Sequence, residues 1–395
     1  MHNALQAVKP WVKEELSTCV HFWLDHGQDR DFGGVLTCLD QAGAVYSTDK
    51  SVWMQGRCAW TFSRLCHVYG ENAAWRAFAV SCLDFMEAHC INRDQDNRMY
   101  FQVTRQGQPL RQRRYSFSEG FYAMANAEFY KLSGISKYMD RAKAAYDLIW
   151  RLNQGEADPA GFGPKVNAAT RPLRGLAGPM IYLNLSSVMR DADPENAATY
   201  TQRANQCVED ILRFHRKKDR GMTLETVGPN GEYDPEVSMC RILNPGHAIE
   251  CSWFLMEEAL WRGCGALHQE AEDIMMDALT AGWDEEYGGL LYFQDAEGHP
   301  PESYEHDMKL WWPHNEALIA TLMAFRNTGK QMYLDWFLRV WEYTRSVFPD
   351  ARYGEWFGYL RRDGQPTQPA AKGSTFKGPF HLPRMLLMLD QMLDK

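Results

Sequence analysis

The apolar positions of this chain form two kinds of helical run, which alternate along the sequence. One kind is apolar on nearly every side, as in HAIECSWFLMEEALW after Asn244-Pro245 and HNEALIATLMAF after Trp312-Pro313. The other kind is amphipathic, as in WRAFAVSCLDFMEAH. Helices that are apolar all round lie in a core, whereas amphipathic helices cover one. The pattern therefore predicts buried helices, each paired with an outer helix.

A short motif that begins with aspartate recurs between the helix pairs. Its copies continue to an aromatic residue and glycines, as in DRDFGG and DEEYGG, which is typical of a tight hairpin between short strands. A period of 61 to 67 residues indicates a repeat architecture. Six such units predict an all-α protein, an (α/α)6 barrel or toroid with short β-hairpins between its helix pairs. The leading aspartates are Asp29, Asp96, Asp158, Asp219, Asp284 and Asp350.

The alternative to a barrel is an open helical solenoid. The first predicted helix, over 4–26, has no inner partner until the last predicted helix, over 383–394, supplies one. That pairing favours a closed ring. Because no segment has the composition of a linker, residues 1–395 are predicted to form a single catalytic domain.

Composition narrows the functional classes. The net charge of −9 disfavours binding to nucleic acid or to an anionic membrane. No apolar run reaches the length of a membrane span and no signal peptide is apparent, so we expect a cytoplasmic protein. The aromatic content of 13% suits a pocket that stacks on sugar rings.

The repeat also predicts a site, because the inner helices of such a ring begin at one mouth. His247, Glu250 and Trp253 share one helical face, so Glu250 is expected to orient His247. His381 begins another inner helix after a similar turn containing glycine and proline. Paired histidines at one mouth favour proton transfer. The H-x-x-E spacing is not the H-E-x-x-H of a zinc site, and no metal is expected.

Several long strings resemble the N-acylglucosamine 2-epimerase family, which includes renin-binding proteins, cellobiose 2-epimerases and aldose–ketose isomerases. They are VWMQGRCAW, RILNPGHAIECSWF, WDEEYGGLLYFQDAEGHPP, MKLWWPHNEALIA, YGEWFGYL and FKGPFHLPR. The resemblance implies an (α/α)6 barrel that epimerises a small-molecule sugar at C2, in a homodimer. We expect interconversion of N-acetylglucosamine and N-acetylmannosamine by ring opening and proton transfer through an enediolate.

The same resemblance implies the residue roles. His247 and His381 correspond to the two catalytic histidines, with Glu250 beside the first, and Arg57 to the arginine at the carbonyl oxygen of the sugar. The expected substrate-binding residues are Trp53, Trp253, Trp312 and Glu316.

Other functions stay open at this point. The runner-up is an epimerase or aldose–ketose isomerase for an unmodified sugar such as mannose. A glycoside hydrolase would need two carboxylates, for which Glu250 and Glu316 are available, and a non-catalytic binding protein is a third class. No cofactor is expected for the chemistry. ATP is an allosteric activator in the N-acylglucosamine branch, although Ser374 stands where glycine is common in KGSTFKG.

Overall fold

The computed structural model describes residues 2–113, 115–163 and 166–394. Within these residues the chain forms thirteen α-helices, most of them arranged in pairs. The helices are α1 His2–Phe22, α2 Val52–Tyr69, α3 Ala73–His89, α4 Phe117–Ser133, α5 Ser136–Asn153, α6 Ala177–Ala192, α7 Ala197–Asp210, α8 Ser238–Arg241, α9 Pro245–Arg262, α10 Gly265–Gly282, α11 Trp311–Thr328, α12 Gln331–Val347 and α13 His381–Leu393. Short π-helical turns over Trp23–Gly27 and Ile211–His215 extend α1 and α7.

Six inner helices form a closed ring. Going around it, α2 packs on α4, α4 on α6, α6 on α9, α9 on α11, α11 on α13, and α13 returns to α2. Each has an outer partner, respectively α3, α5, α7, α10, α12 and α1. The prediction of an (α/α)6 barrel is confirmed, and the contact between α13 and α2 shows closure instead of an open solenoid. Among the described residues, no helix combines the length and apolar character needed to cross a membrane.

Short strands join neighbouring units of the ring. All the strand pairs are antiparallel and connect β1 to β2, β2 to β3, β4 to β7, β5 to β6, β8 to β9 and β10 to β11. The strands are β1 Lys50–Ser51, β2 Gln102–Val103, β3 Pro109–Arg111, β4 Arg174–Gly175, β5 Arg216–Lys217, β6 Met222–Thr223, β7 Thr226–Val227, β8 Ile242–Leu243, β9 Gln294–Asp295, β10 Lys309–Leu310 and β11 Tyr359–Leu360. Most predicted hairpins are narrower still, as at the single bridges Gln28↔Val35 and Trp283↔Leu290.

The recurrent aspartate has a structural explanation in three of the units. Asp29, Asp284 and Asp350 each accept backbone amide hydrogens of their own turn and pair with a lysine that is fully buried. The pairs are Lys50–Asp29 at 2.9 Å, Lys309–Asp284 at 2.8 Å and Lys372–Asp350 at 2.9 Å. Burial lowers the pKa of Lys309 and of Lys372 to about 8. A buried charge needs such a partner, so these pairs fix the turns in which the aspartates lie.

Local contacts fix where the inner helices begin and how closely they pack. The side chain of Asn244 accepts the amide hydrogen of His247 and caps the N-terminus of α9. Ser118, in the first turn of α4, donates to the carbonyl oxygen of Tyr100. Gly56 lies within α2, and a Cβ there would lie 2.7 Å from the carbonyl oxygen of Phe121. Glycine therefore allows α2 and α4 to approach closely.

Candidate active site

The first turns of the inner helices enclose a cavity of about 400 Å³. Residues near the end of the same helices, such as Arg64, Lys131 and Trp261, line a separate chamber at the opposite end of the ring. All the inner helices that contribute to both spaces therefore run in one direction. Six of the eight predicted site residues line the first cavity, namely Trp53, Arg57, His247, Glu250, Trp312 and His381.

The Trp312 ring lies close to both histidines. Its centroid is 5.2 Å from that of His247 and 5.8 Å from that of His381. A Cβ at position 246 would lie 2.5 Å from Trp312 Cη2, so the Gly246 of the N-P-G-H motif makes room for the indole. A ring-shaped ligand that lies against Trp312 is thus within reach of two imidazoles.

His381 belongs to a buried charged cluster. Its Nδ1 donates to Glu316 Oε1 at 2.7 Å, and the same carboxylate oxygen accepts a hydrogen bond from Arg384 Nη2. Arg384 Nη2 also donates to Glu250 Oε1 at 2.9 Å. Burial, followed by the charges of Arg57 and Arg384, holds the pKa of His381 well below its usual range. His381 is therefore a neutral imidazole whose Nδ1 carries the hydrogen, which leaves Nε2 as a basic lone pair.

Trp253 and Glu316 lie behind the wall of the cavity and do not face it. Glu316 is fully buried, and its Oε2 accepts a hydrogen bond from Trp253 Nε1 at 2.8 Å. The Trp253 indole faces the chamber at the opposite end of the ring. The expected direct contacts of these two residues with substrate are thus replaced by a chain from Trp253 through Glu316 to His381.

His247 has a different carboxylate partner from the one expected. Its Nδ1 donates to Glu225 Oε2 at 2.9 Å, whereas Glu250 is bound by Arg384. Burial lowers the pKa of His247, but the Glu225 carboxylate, with smaller contributions from Glu250 and Glu316, outweighs burial and raises this pKa above its usual value. The prediction that Glu250 orients His247 is therefore wrong. The i, i+3 spacing places both on α9, but the loop between β6 and β7 supplies the hydrogen-bond acceptor.

Arg57 is a cation without a partner. Within the part of the chain that the structure describes, no hydrogen bond or ion pair holds its guanidinium, and its buried Nε has no acceptor. The guanidinium carbon stacks 4.2 Å from the centroid of Phe121 and 4.9 Å from that of Phe380. Burial lowers the pKa of Arg57 to about 9. A cation held between aromatic rings at a cavity wall suits a ligand oxygen that becomes negatively charged.

Three groups beside the cavity have a spacing that could suit a metal ion. Ligand atoms of Glu250, Glu316 and His381 lie within 4.8 Å of one another. The guanidinium of Arg384 already binds both carboxylates, so it supplies the positive charge that an ion would bring. His314, by contrast, is a structural histidine, since Nδ1 donates to the Leu310 carbonyl and Nε2 accepts from the Leu290 amide.

The sequence predictions did not include several cavity residues. Asn184 enters from α6, while Tyr292 and Glu305 come from the segment that follows α10. Glu225 was missed because it lies in the short loop between β6 and β7 and not at a helix start. The sequence signal available for it was its place shortly after Asp219 in the fourth repeat.

Comparison with known proteins shows the family of this chain. A model of the family described as N-acylglucosamine 2-epimerase (GlcNAc 2-epimerase) matches residues 34–377. The chain belongs to this family. It is 39% identical to the N-acylglucosamine 2-epimerase of Bos taurus over 99% of this chain and 92% of that protein. It is 37% identical to the protein of that name from Homo sapiens, over 99% of this chain and 91% of that protein.

Among solved structures, cellobiose 2-epimerase from Bacillus thermoamylovorans B4167 superposes with a TM-score of 0.85. That match has 19% identity and covers 98% of this chain and 99% of the other. It supports the (α/α)6 fold. The predicted family resemblance is confirmed, and so is the prediction that the chain is an isomerase of the carbohydrate epimerase type.

Proposed function

We propose that this protein interconverts N-acetylglucosamine and N-acetylmannosamine by inverting C2 of the open-chain sugar. The observation that carries the proposal is the pair of imidazoles, His247 and His381, beside Trp312 in one cavity. The 39% identity to a protein named N-acylglucosamine 2-epimerase favours an N-acylated substrate, since the similarity to proteins named cellobiose 2-epimerase is 22%.

The chemistry follows from the residue types. The C2 hydrogen is acidic only next to a carbonyl group, so the sugar ring opens first. One imidazole removes the C2 proton, and the electron pair moves to O1. The product is an enolate and not the enediolate expected from the sequence, because C2 of these sugars carries an acetamido nitrogen. Arg57 has an uncompensated charge with which to stabilise that oxygen. The second imidazole returns a proton to the other face of C2, and solvent restores both histidines.

The remaining residues bind or position these groups. We infer that Trp53 and Trp312 contact the sugar. Glu250 acts through Arg384, and Glu316 and Trp253 hold His381. We also propose that residues 1–395 work as a single catalytic domain. The homodimer, the cytoplasmic location, the absence of a required cofactor or metal, and activation by ATP remain predictions.

Proton NMR in deuterated water tests the function. Enzyme is incubated separately with N-acetylglucosamine, N-acetylmannosamine, mannose and cellobiose, with and without ATP. We expect loss of the C2 proton signal and appearance of the 2-epimer with both N-acetylated sugars. Epimerisation of mannose alone would replace the proposed substrate by an unmodified sugar. Absence of C2 exchange with every sugar would overturn the proposal.

A further inference from the structure

Backbone hydrogen bonds hold Glu225 in place. It lies in the short loop between β6 and β7, next to Leu224, whose amide donates to the His215 carbonyl at 3.0 Å. His215 Nδ1 in turn donates to the Leu224 carbonyl at 2.9 Å, and the Glu225 carbonyl accepts the amide hydrogen of Leu176. The backbone on both sides of the carboxylate is therefore fixed, and the side chain reaches His247 from a preformed loop.

His247 is the cation that Glu225 can pair with. Among the described residues, His247 is the one side chain that forms a hydrogen bond to the Glu225 carboxylate. His215 is also near, but burial lowers its pKa to about 4, so its ring is neutral. Glu225 thus faces a single imidazole without competition from arginine or lysine.

The other carboxylates near His247 are already compensated. Glu250 and Glu316 both accept hydrogen bonds from Arg384. Glu225 has no such cation, and its carboxylate is the one that directly contacts the His247 ring among the described residues. The charges of Glu250 and Glu316 also raise the pKa of His247, but less than the charge of Glu225 does. The titratable and charged groups that line the cavity or pack behind it are Arg57, His215, Glu225, His247, Glu250, Tyr292, Glu305, Glu316, Tyr359, His381 and Arg384.

We propose that Glu225 is a positioning residue that keeps His247 protonated, so that His247 is the acid and His381 the base of the resting enzyme. This inference rests on the proposed epimerase function. In the direction that starts from this resting state, His381 Nε2 takes the C2 proton, and His247 Nε2 gives its own proton to the opposite face of C2. The pair then holds one proton as before, on the other histidine, and exchange with water resets it.

The pH dependence of kcat/KM tests this assignment. Both directions of the reaction use the same singly protonated pair, so they should share one bell-shaped profile. The upper limb reports loss of the His247 proton and the lower limb reports protonation of His381. In Glu225→Gln the amide oxygen still accepts from Nδ1 but carries no charge. We expect the upper limb to move to lower pH by about one to two units, with the lower limb and KM unchanged.

Two further variants separate charge from structure. Glu225→Asp retains the charge, so its upper limb should lie close to the pH at which the native enzyme has it. Glu232→Gln, at an exposed position in the next turn, removes a carboxylate that does not contact His247 and should leave the profile unmoved. If Glu225→Gln lowers activity equally at all pH values, the carboxylate acts only in packing and the proposal is wrong.

Nitrogen NMR of the His247 ring provides a readout that does not depend on turnover. In the native protein we expect His247 to lose its proton at higher pH than in Glu225→Gln, with Nδ1 protonated in both neutral forms. An active enzyme in which the two titrations coincide would contradict this inference and leave the epimerase function intact. An inactive enzyme in which they differ would contradict the function and leave the Glu225–His247 pairing intact.

Discussion

His247 and His381 occupy equivalent places in two repeats, but their surroundings give them opposite proton affinities. Each donates Nδ1 to a glutamate, at 2.9 Å for His247 and 2.7 Å for His381. The glutamate of His381 is shared with Arg384, and Arg57 adds a second positive charge nearby. The comparison shows that one carboxylate contact does not determine the charge of an imidazole. Burial lowers the pKa of both rings, and the neighbouring charges decide the outcome. The Glu225 carboxylate raises the pKa of His247, whereas Arg57 and Arg384 lower that of His381 further.

The largest expected effect comes from removing either histidine. His247→Asn and His381→Asn should each lower kcat for epimerisation by about 10² to 10⁴-fold, the usual contribution of an acid–base group. Each variant should still exchange the C2 hydrogen of one epimer with deuterated water, and the two variants should exchange different epimers. NMR of each sugar measures this.

The double variant and an exposed control complete that experiment. His247→Asn/His381→Asn should exchange neither epimer, and His299→Asn, at an exposed position, should match the native enzyme. Exchange of both epimers by one single variant would show that one imidazole serves both faces, which would remove the distinction between the two histidines.

A smaller effect that does not distinguish the histidines is expected at Arg57. Arg57→Met should lower kcat by about 10² to 10³-fold in both directions, because the enolate oxygen O1 forms whichever histidine starts the reaction. Initial rates from each epimer measure it. Arg57→Lys retains a charge without the planar stack on Phe121, so its kcat should lie between those of the native enzyme and Arg57→Met. A loss confined to one direction would contradict the assignment of Arg57 to O1.

Glu316→Gln tests the surroundings of His381 and should lower kcat less than loss of either histidine does. It removes the charged acceptor of His381 and of Trp253 while keeping the size of the side chain. A hydrogen bond to a charged group contributes about 1.5 to 3 kcal/mol, so we expect kcat to fall by about 10 to 100-fold. The upper pH limb, which belongs to His247, should move less than in Glu225→Gln, because the Glu316 charge raises the pKa of His247 less than the Glu225 charge does. An equal or larger movement of that limb would show that Glu225 is not the main carboxylate of His247.

The smallest effect is expected at Trp253. Trp253→Phe leaves Glu316 without the indole donor but keeps its bonds to His381 and Arg384. We expect less than about a tenfold loss of kcat, with KM unchanged, because the ring faces away from the cavity. Steady-state kinetics with the N-acetylated sugars measure both values. A large rise in KM would instead support the direct sugar contact that the sequence predicted.

The sequence predicted the ring and most of the cavity, because helix periodicity and turn residues are local signals. Asn244 and Pro245 supply an N-cap and a first-turn proline, and the helix that they begin places His247 at the cavity. How deeply a side chain is buried, and which residue it contacts, could not be predicted in this way. Glu316 lies at 0% exposure because α11 faces α13 and α9, and Glu225 reaches His247 because β7 pairs with β4. Both facts depend on contacts between units that no single window of sequence contains.

Closure of the ring also has a consequence for how the protein is made. The Thr61 hydroxyl in α2 donates to the carbonyl of Pro379, which is 318 positions later in the chain. During synthesis on a ribosome, the apolar face of α2 therefore stays uncovered until nearly the whole polypeptide has been made and α13 can pack on it. Contacts between such distant segments form slowly and leave apolar surface exposed to other nascent chains. A ribosome that stops before residue 381 releases a product with an unsealed wall and only one of its two histidines.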